Sequence, residues 1–583
     1  MKIKHLFGLA VIAAMSASCS SNEDLGTAGP GTGTNEAGVG YATFTINLPT
    51  TSGTRADAGG AEMNEGSPEE YAVKSATALI FQKYGSDEGS YKFVESVTLP
   101  IDGWTDDTTP GITTTAKKLV AKLTNVDTKN DYSVLILLNN TKVALPTVGQ
   151  SYNDWNSKNI LTLSATDWAG SDGFYMANAP LKGSAASPAT LVPIDKAKIY
   201  ASEAKAKEDA STCAATVYVE RGVAKMTVAT PGTTGTIIVK DKATSADTKS
   251  EVTFSKWALD ITNKKTFAVH NINGLKSDFG DIWKTDPSNR FIGTNNRVYW
   301  GKDPNYDNKD LKLTDKDAER QAEFNFITLT SEINKDFTNA TITNPVYCLE
   351  NTFNLENMYQ GQTTRVIFKA TYTPKDDAGN PLADAADGTF YTIGNMTTIL
   401  NTDKLKAAVN AVATPVLPTG YTIDYENFKT EGSHVITLAD IKNATGAALV
   451  ADADYSGKTG TQIVKEINDN LGLTDGAVRK EAKVGINTYF KGETYYIARV
   501  KHFGALTDWH SGESYSDNNA KYLGRYGMLR NNWYELQVGN VYGPGYPGVP
   551  PVDPTLPDDE NEKYLSVSVK ILSWAKRSDT VDL

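Results

Sequence analysis

Cysteine is nearly absent from this chain: three in 583 residues. Cys19 stands near the start. Cys213 and Cys348 lie far apart in no CxxC spacing, which excludes a disulfide framework and argues against a structural zinc site; their own pairing stays open. Histidine is as scarce. His270, His434, His502 and His510 follow His5, and none sits in HExxH or another ligand spacing. GxSxG is missing as well. Carboxylate pairs of the glycosidase kind are set by fold, so spacing does not decide them. Nothing here argues for an enzyme, a metal or a cofactor. Positive charge is in the minority, with 57 Lys and Arg against 69 Asp and Glu, a net charge of −12. No basic patch with interleaved aromatics occurs, so nucleic acid is not an expected partner. Long apolar runs are also missing. Residues 6–15 make a run of ten, too short to span a bilayer.

What is present points to strands and to export. Apolar residues are 40% and aromatics 9%, enough for large cores in two to four domains. Thr, Asn, Gly, Val and Tyr are prominent, which favours strands and turns. Lys2 and Lys4 precede the run 6–15, and Ser16-Ala17-Ser18-Cys19 closes it. This reads as a signal peptide, 1–18, ending in a lipobox with Ser where Leu or Val is usual. Cys19 is the expected lipidation (palmitate) site, an ordinary signal with a chance cysteine being the plainer alternative. A Gly/Thr-rich tether follows at 26–40. In 41–49, Phe44, Ile46 and Leu48 alternate with Thr43, Thr45 and Asn47, a strand with one apolar face. Next comes Thr50-Thr51-Ser52-Gly53-Thr54-Arg55, then Ala56-Asp57-Ala58-Gly59-Gly60. Small polar residues around a basic one describe a cleavable loop. Arg55 is the only arginine before Arg221. A trypsin-like cut between Arg55 and Ala56 would detach the first strand from everything downstream.

Strand patterns then recur at 72–81, 91–99, 119–123, 132–138, 175–180 and 217–228, with turn residues between them. The break Thr230-Pro231-Gly232-Thr233-Thr234-Gly235 reads as a domain boundary. Beyond it, 237–239, 252–259, 266–269, 346–349, 364–373, 494–500 and 533–538 resume the pattern. Residues 274–317 read as polar loops, with 303–317 a solvated acidic stretch. Helical spacing at 403–412 and 462–471 places two helices in insertions. Asp452, Asp454, Ser456 and Gly457 begin a calcium-loop pattern, but position twelve is Ile463, which supplies no carboxylate. Gly457-Lys458-Thr459 lacks the leading glycine of a phosphate loop and reads as a turn before a helix. Residues 543–562 carry six prolines and an acidic close, an extended, poorly folding tether. After it, Leu565, Val567, Val569 and Ile571 alternate with Ser566, Ser568 and Lys570. At Ile571 and Leu572 the phase slips, and Leu572 and Trp574 carry the apolar side onward. The slip predicts a bulge or two short strands. Such a strand folds home or pairs with another chain, because alone it buries nothing.

Taken in order, these stretches resemble the fimbrillins, subunits of type V pili in Bacteroidetes. The resemblance rests on Cys19 after a short signal, the strand ending at Arg55, and Val217-Tyr218-Val219-Glu220-Arg221 with Ala224-Lys225. It continues through Lys256-Trp257-Ala258-Leu259 and Tyr347-Cys348-Leu349-Glu350-Asn351-Thr352. Tyr495-Tyr496-Ile497, Lys501-His502-Phe503, Arg530-Asn531-Asn532-Trp533-Tyr534 and the tail 565–574 with Val581-Asp582-Leu583 complete it. Within the family it is nearest to the major subunit of the short fimbriae, over almost the whole chain.

The resemblance implies a mainly β protein of two transthyretin-like β-sandwich domains, with helical and loop insertions and an extended C-terminal donor strand. It implies a lipidated propeptide at 19–55, sandwiches at 56–230 and 231–542, a tether at 543–563 and a donor strand at 564–583. It implies export as an outer-membrane lipoprotein and cleavage after Arg55 by an Arg-specific protease. The strand with Phe44, Ile46 and Leu48 is then lost. The groove it leaves is filled by a neighbour's Leu565, Val567, Val569, Ile571, Leu572 and Trp574. The product is an adhesive fimbrium outside the cell. Its partners are copies of itself, accessory and anchor subunits, and host or bacterial receptors. The alternative that the residues leave open is a surface lipoprotein that binds glycans, which needs neither Arg55 nor the terminal strand.

Overall fold

The computed structural model describes residues 33–35, 38–48, 63–64, 66–102, 116–127, 129–181, 188–208, 213–229, 231–232, 234–275, 298–306, 310–327, 338–339, 344–352, 357–394, 396–473, 485–502, 523–558 and 565–574. Within them the period-2 stretches are strands. The first unit holds β1 (Gly40–Asn47), β2 (Ala76–Gln82), β3 (Lys92–Thr98), β4 (Ala116–Leu123), β5 (Tyr132–Leu138), β6 (Met176–Asn178) and β7 (Ala215–Arg221). They form one curled sheet in the order β4-β1-β7-β6-β5-β2-β3, with Ile199–Tyr200 added to β1 and Val192–Ile194 to β5. The carboxylate of Glu95 on edge strand β3 accepts from the amides of Thr124 and Asn125 just past β4, tying the two edges together. The apolar rows of these strands fill one core.

The chain passes to the second unit at Gly222. A Cβ there would come within 2.5 Å of the Trp168 ring, so glycine lets the backbone run tight against the indole. Beyond it lie β8 (Val223–Val228), β9 (Thr236–Lys240), β10 (Asp247–Asp260), β11 (Val346–Leu349), β12 (Arg365–Thr373), β13 (Glu493–Arg499), β14 (Asn532–Val541) and β15 (Leu565–Trp574). One sheet runs β15-β14-β8-β11 and the other β9-β10-β12-β13. Their facing apolar rows make the second core, a two-layer arrangement. The helices α1 (Thr402–Ala413) and α2 (Gly460–Asn470) bury Leu405, Val409, Ile463 and Ile467 in a small core of their own, inserted between β12 and β13. Thr459 caps α2 by accepting from the amide of Gln462, so 457–459 is the turn that its residues predict.

Two sequence expectations fail here. The stretch read as polar loops is partly core: Tyr299, Trp300, Tyr306 and Leu311 pack together, with Phe324 just beyond the stretch. Asp303, read as solvated, is half-buried and fully hydrogen-bonded. It accepts from Asn263, Asn305 and the amide of Thr352, while burial pushes its carboxyl up to about 7. The Pro-rich tether is not a loose spacer as far as Asp558. Tyr546 exchanges both backbone hydrogen bonds with Tyr495, at 2.7 and 2.9 Å. Arg365 donates to the carbonyl of Pro550, Tyr489 to that of Gly545 and Tyr496 to that of Gly543. Prolines offer no N–H, but their extended chain presents carbonyls and loses little entropy on docking. Side-chain donors of the second unit use those carbonyls.

Candidate strand-exchange site

β1 is not an edge. It pairs antiparallel with β4 along its whole length, from Gly40 opposite Leu123 to Asn47 opposite Ala116. On its other side it runs parallel to β7, from Phe44 opposite Ala215 to Asn47 opposite Tyr218. Ala42, Phe44 and Ile46 are wholly buried and Leu48 is 2% exposed. On the reverse face, Thr43 donates through its hydroxyl to the carbonyl of Ala206, and its own carbonyl accepts from Ala214. Taking β1 away would leave a slot walled by β4 and β7. Its floor would expose buried Leu119, Ala121, Leu123, Val217 and Val219.

That geometry yields a differential result. Phe44→Ala should cost the uncut chain about 3–5 kcal/mol by chemical denaturation. A chain already cut after Arg55 and freed of β1 should show no change, since the mutated residue has left.

β15 has a home of its own. It pairs antiparallel with β14, from Ser573 opposite Asn532 to Leu565 opposite Val541. Val567, Val569 and Ile571 stand opposite Val538, Leu536 and Tyr534, residues of the second core. The break expected at Ile571 and Leu572 is not there. The register runs through both without a shift, and the irregularity lies instead between Val538 and Val541. The reason for the two consecutive apolar residues is the neighbour strand. Ile571 opposes Tyr534 of the second core, and Leu572 opposes Trp533, which packs against the first. At this level the sheet is covered on both faces, so both phases turn apolar. Met63–Asn64 pairs parallel with Ser573 and Trp574 on the other side of β15.

The motifs of the two units converge beside this end of the sheet. Glu70, buried on the short helix Pro68–Tyr71, holds the Lys225 ammonium at 2.8 Å and accepts from the Tyr347 hydroxyl at 2.6 Å. Burial holds the Lys225 amine below its ordinary range despite the pull of Glu70, and its ammonium lies 3.5 Å over the Trp533 ring. Arg221 donates to the carbonyl of Glu70 and to Asn531, whose left-handed φ of 60° suits asparagine. Glu350 accepts from Arg530, and Glu220 stands 2.9 Å from the His270 ring. Tyr534 accepts from the amide of Leu529, which leaves its proton for Nδ1 of His502. That ring is kept neutral by burial, which lowers it to about 3.

Of the residues expected from sequence, Phe44, Ile46 and Leu48 lie in the slot. Leu565, Val567, Val569, Ile571, Leu572 and Trp574 lie on β15 at the other unit. Cys19, Arg55 and Ala56 fall outside the described residues. Cys213 and Cys348 are free thiols, the second deep in the second core and pushed up to about 12 by burial. Met63–Asn64 and Glu70 went unsingled in the sequence. A two-residue strand has no period to read, and the partners of Glu70 are remote in sequence.

Residues 487–580 match the family described as major fimbrial subunit protein type IV, fimbrillin, C-terminal. That stretch contains β13, β14, the docked tether and β15. The resemblance to the fimbrillins is borne out there, and the chain is mainly β as expected. No curated protein matches. The crystal structure of a fimbrial assembly protein from Parabacteroides distasonis is similar at 12% identity and a TM-score of 0.26, over 62% of this chain and 93% of that one. At that score the likeness decides nothing about the fold.

Proposed function

We propose that this chain is a structural subunit, a pilin, of a type V fimbria. Its precursor is exported as an outer-membrane lipoprotein with lipid on Cys19. An Arg-specific protease cuts between Arg55 and Ala56, β1 leaves the first of two transthyretin-like sandwiches, and β15 of a neighbour fills the slot. Repetition makes an extracellular filament, joined to accessory and anchor subunits, that adheres to host or bacterial receptors. One observation carries the reading: the strand just upstream of Arg55 is an interior strand of its sheet, paired on both sides. A protein that discards an interior strand must replace it.

The two strands are interchangeable in pattern. Ala42, Phe44, Ile46 and Leu48 match Leu565, Val567, Val569 and Ile571 in spacing, and pairing supplies the main-chain bonds. Four such side chains contribute roughly 6–10 kcal/mol gross. The direction of exchange also follows. At home β15 has one full-length neighbour, β14, and a two-residue contact with Met63–Asn64. In the slot a strand has β4 along its whole length and β7 along half of it. An emptied slot therefore offers more than the edge that β15 gives up.

N-terminal sequencing of material sheared from the cell surface tests this. Filament subunits beginning at Ala56 are the expected result. Monomers beginning at lipidated Cys19, with no filaments by electron microscopy, would return the glycan-binding lipoprotein reading.

A further inference from the structure

We infer that Met63–Asn64 is a strap over β15, pinned from both sides until the cut at Arg55 releases it, so that one cleavage readies both ends of the subunit. The inference rests on the strand-exchange reading above and adds a control to it. β15 is not a free edge at its end: Ser573 is held between Asn532 of β14 and Met63, and Trp574 pairs with Asn64. Downstream, the strap is anchored where Glu70 is buried against Lys225 and Tyr347. The amide of Ser67 also donates to the Glu70 carboxylate. Upstream, it is joined through residues 49–62 to β1, which is locked between β4 and β7. A two-residue pairing is weak alone. Tied at both ends to immovable anchors, it re-forms within its own molecule faster than β15 can leave, as any linked contact does. Cutting after Arg55 removes the upstream anchor. The strap is then a tail hinged at Ser67, and β15 needs to break only its pairing with β14. An uncut subunit thus neither accepts a strand, because β1 fills its slot, nor gives one.

The test uses sheared filaments as seeds, whose open slots accept one added subunit, and follows attachment of labelled full-length chains. Four donors are compared: the cut chain, an uncut Arg55→Ala chain, the same uncut chain with Met63→Pro, and the same uncut chain with twenty Gly/Ser residues inserted after residue 56. The insertion lengthens the stretch between β1 and the strap and changes none of the residues that pair with or anchor it, so it answers even where the proline variant fails to fold. The uncut chain should attach at least about tenfold more slowly than the cut one, the proline change should restore most of the rate, and the insertion should raise it roughly fourfold. Equal rates for cut and uncut donors would overturn the strap while leaving strand exchange standing. So would an uncut chain with the long insertion that stays as slow as its parent. Should even the cut chain fail to attach, strand exchange itself falls, and the strap with it.

Discussion

A chain carrying Arg55→Ala is expected to reach the cell surface folded and to form no filaments. The substitution lies beyond the last residue of β1 and leaves Phe44, Ile46 and Leu48 seated. An incoming strand must then expel β1 and lose its buried row, roughly 6–10 kcal/mol for four apolar side chains. At 1.4 kcal/mol per tenfold, assembly falls by more than about a thousandfold, below what electron microscopy counts. The uncut chain should unfold at the same denaturant concentration as wild-type precursor, which separates a blocked maturation step from a damaged fold. Filaments of normal number from this variant would remove the cleavage step from the account.

Val569→Asp is expected to abolish assembly from the other end. In the slot this position falls in the buried row, and an unpaired carboxylate there costs on the order of 4 kcal/mol, about a thousandfold in affinity. The first unit is untouched, so after cleavage the variant should still bind a synthetic peptide of residues 564–574 as tightly as wild type. Loss of filaments with retained peptide binding marks a subunit that accepts and cannot give. Loss of both would mean that the change had spread through β14 and Leu536 into the fold, and the donor assignment would lose its support.

Most strands were legible because their chemistry is periodic. The rows Phe44-Ile46-Leu48 and Val567-Val569-Ile571 show a period of two that no helix would tolerate. The helices around Val409 and Ile463 show the other period as clearly. Each failure has a physical source. Proline count alone marked 543–562 as unfolded, yet carbonyls at Gly543, Gly545 and Pro550 are what Tyr496, Tyr489 and Arg365 need. The apolar pair Ile571-Leu572 suggested a bulge because one buried face was assumed. Trp533 and Tyr534, opposite them, serve two cores. Asp and Asn around residue 303 hid Tyr299, Trp300 and Tyr306, which pack into a core of their own. The junction was beyond reading, since Glu70 meets Tyr347 across 277 residues. The sequence showed one-faced strands near both ends of the chain. It could not show that the later strand already has a place on β14, or that Met63–Asn64 pairs with its last two residues.

The central claim is that one slot holds two strands in turn. A filament reconstruction by electron cryomicroscopy, at a resolution that identifies side chains, shows directly which strand lies between β4 and β7. The account predicts residues 565–574 of the neighbouring subunit there, with chains beginning at Ala56 and β14 no longer covered by its own β15. Residues 40–47 of the same chain still seated in that slot, with β15 still on β14, would contradict it.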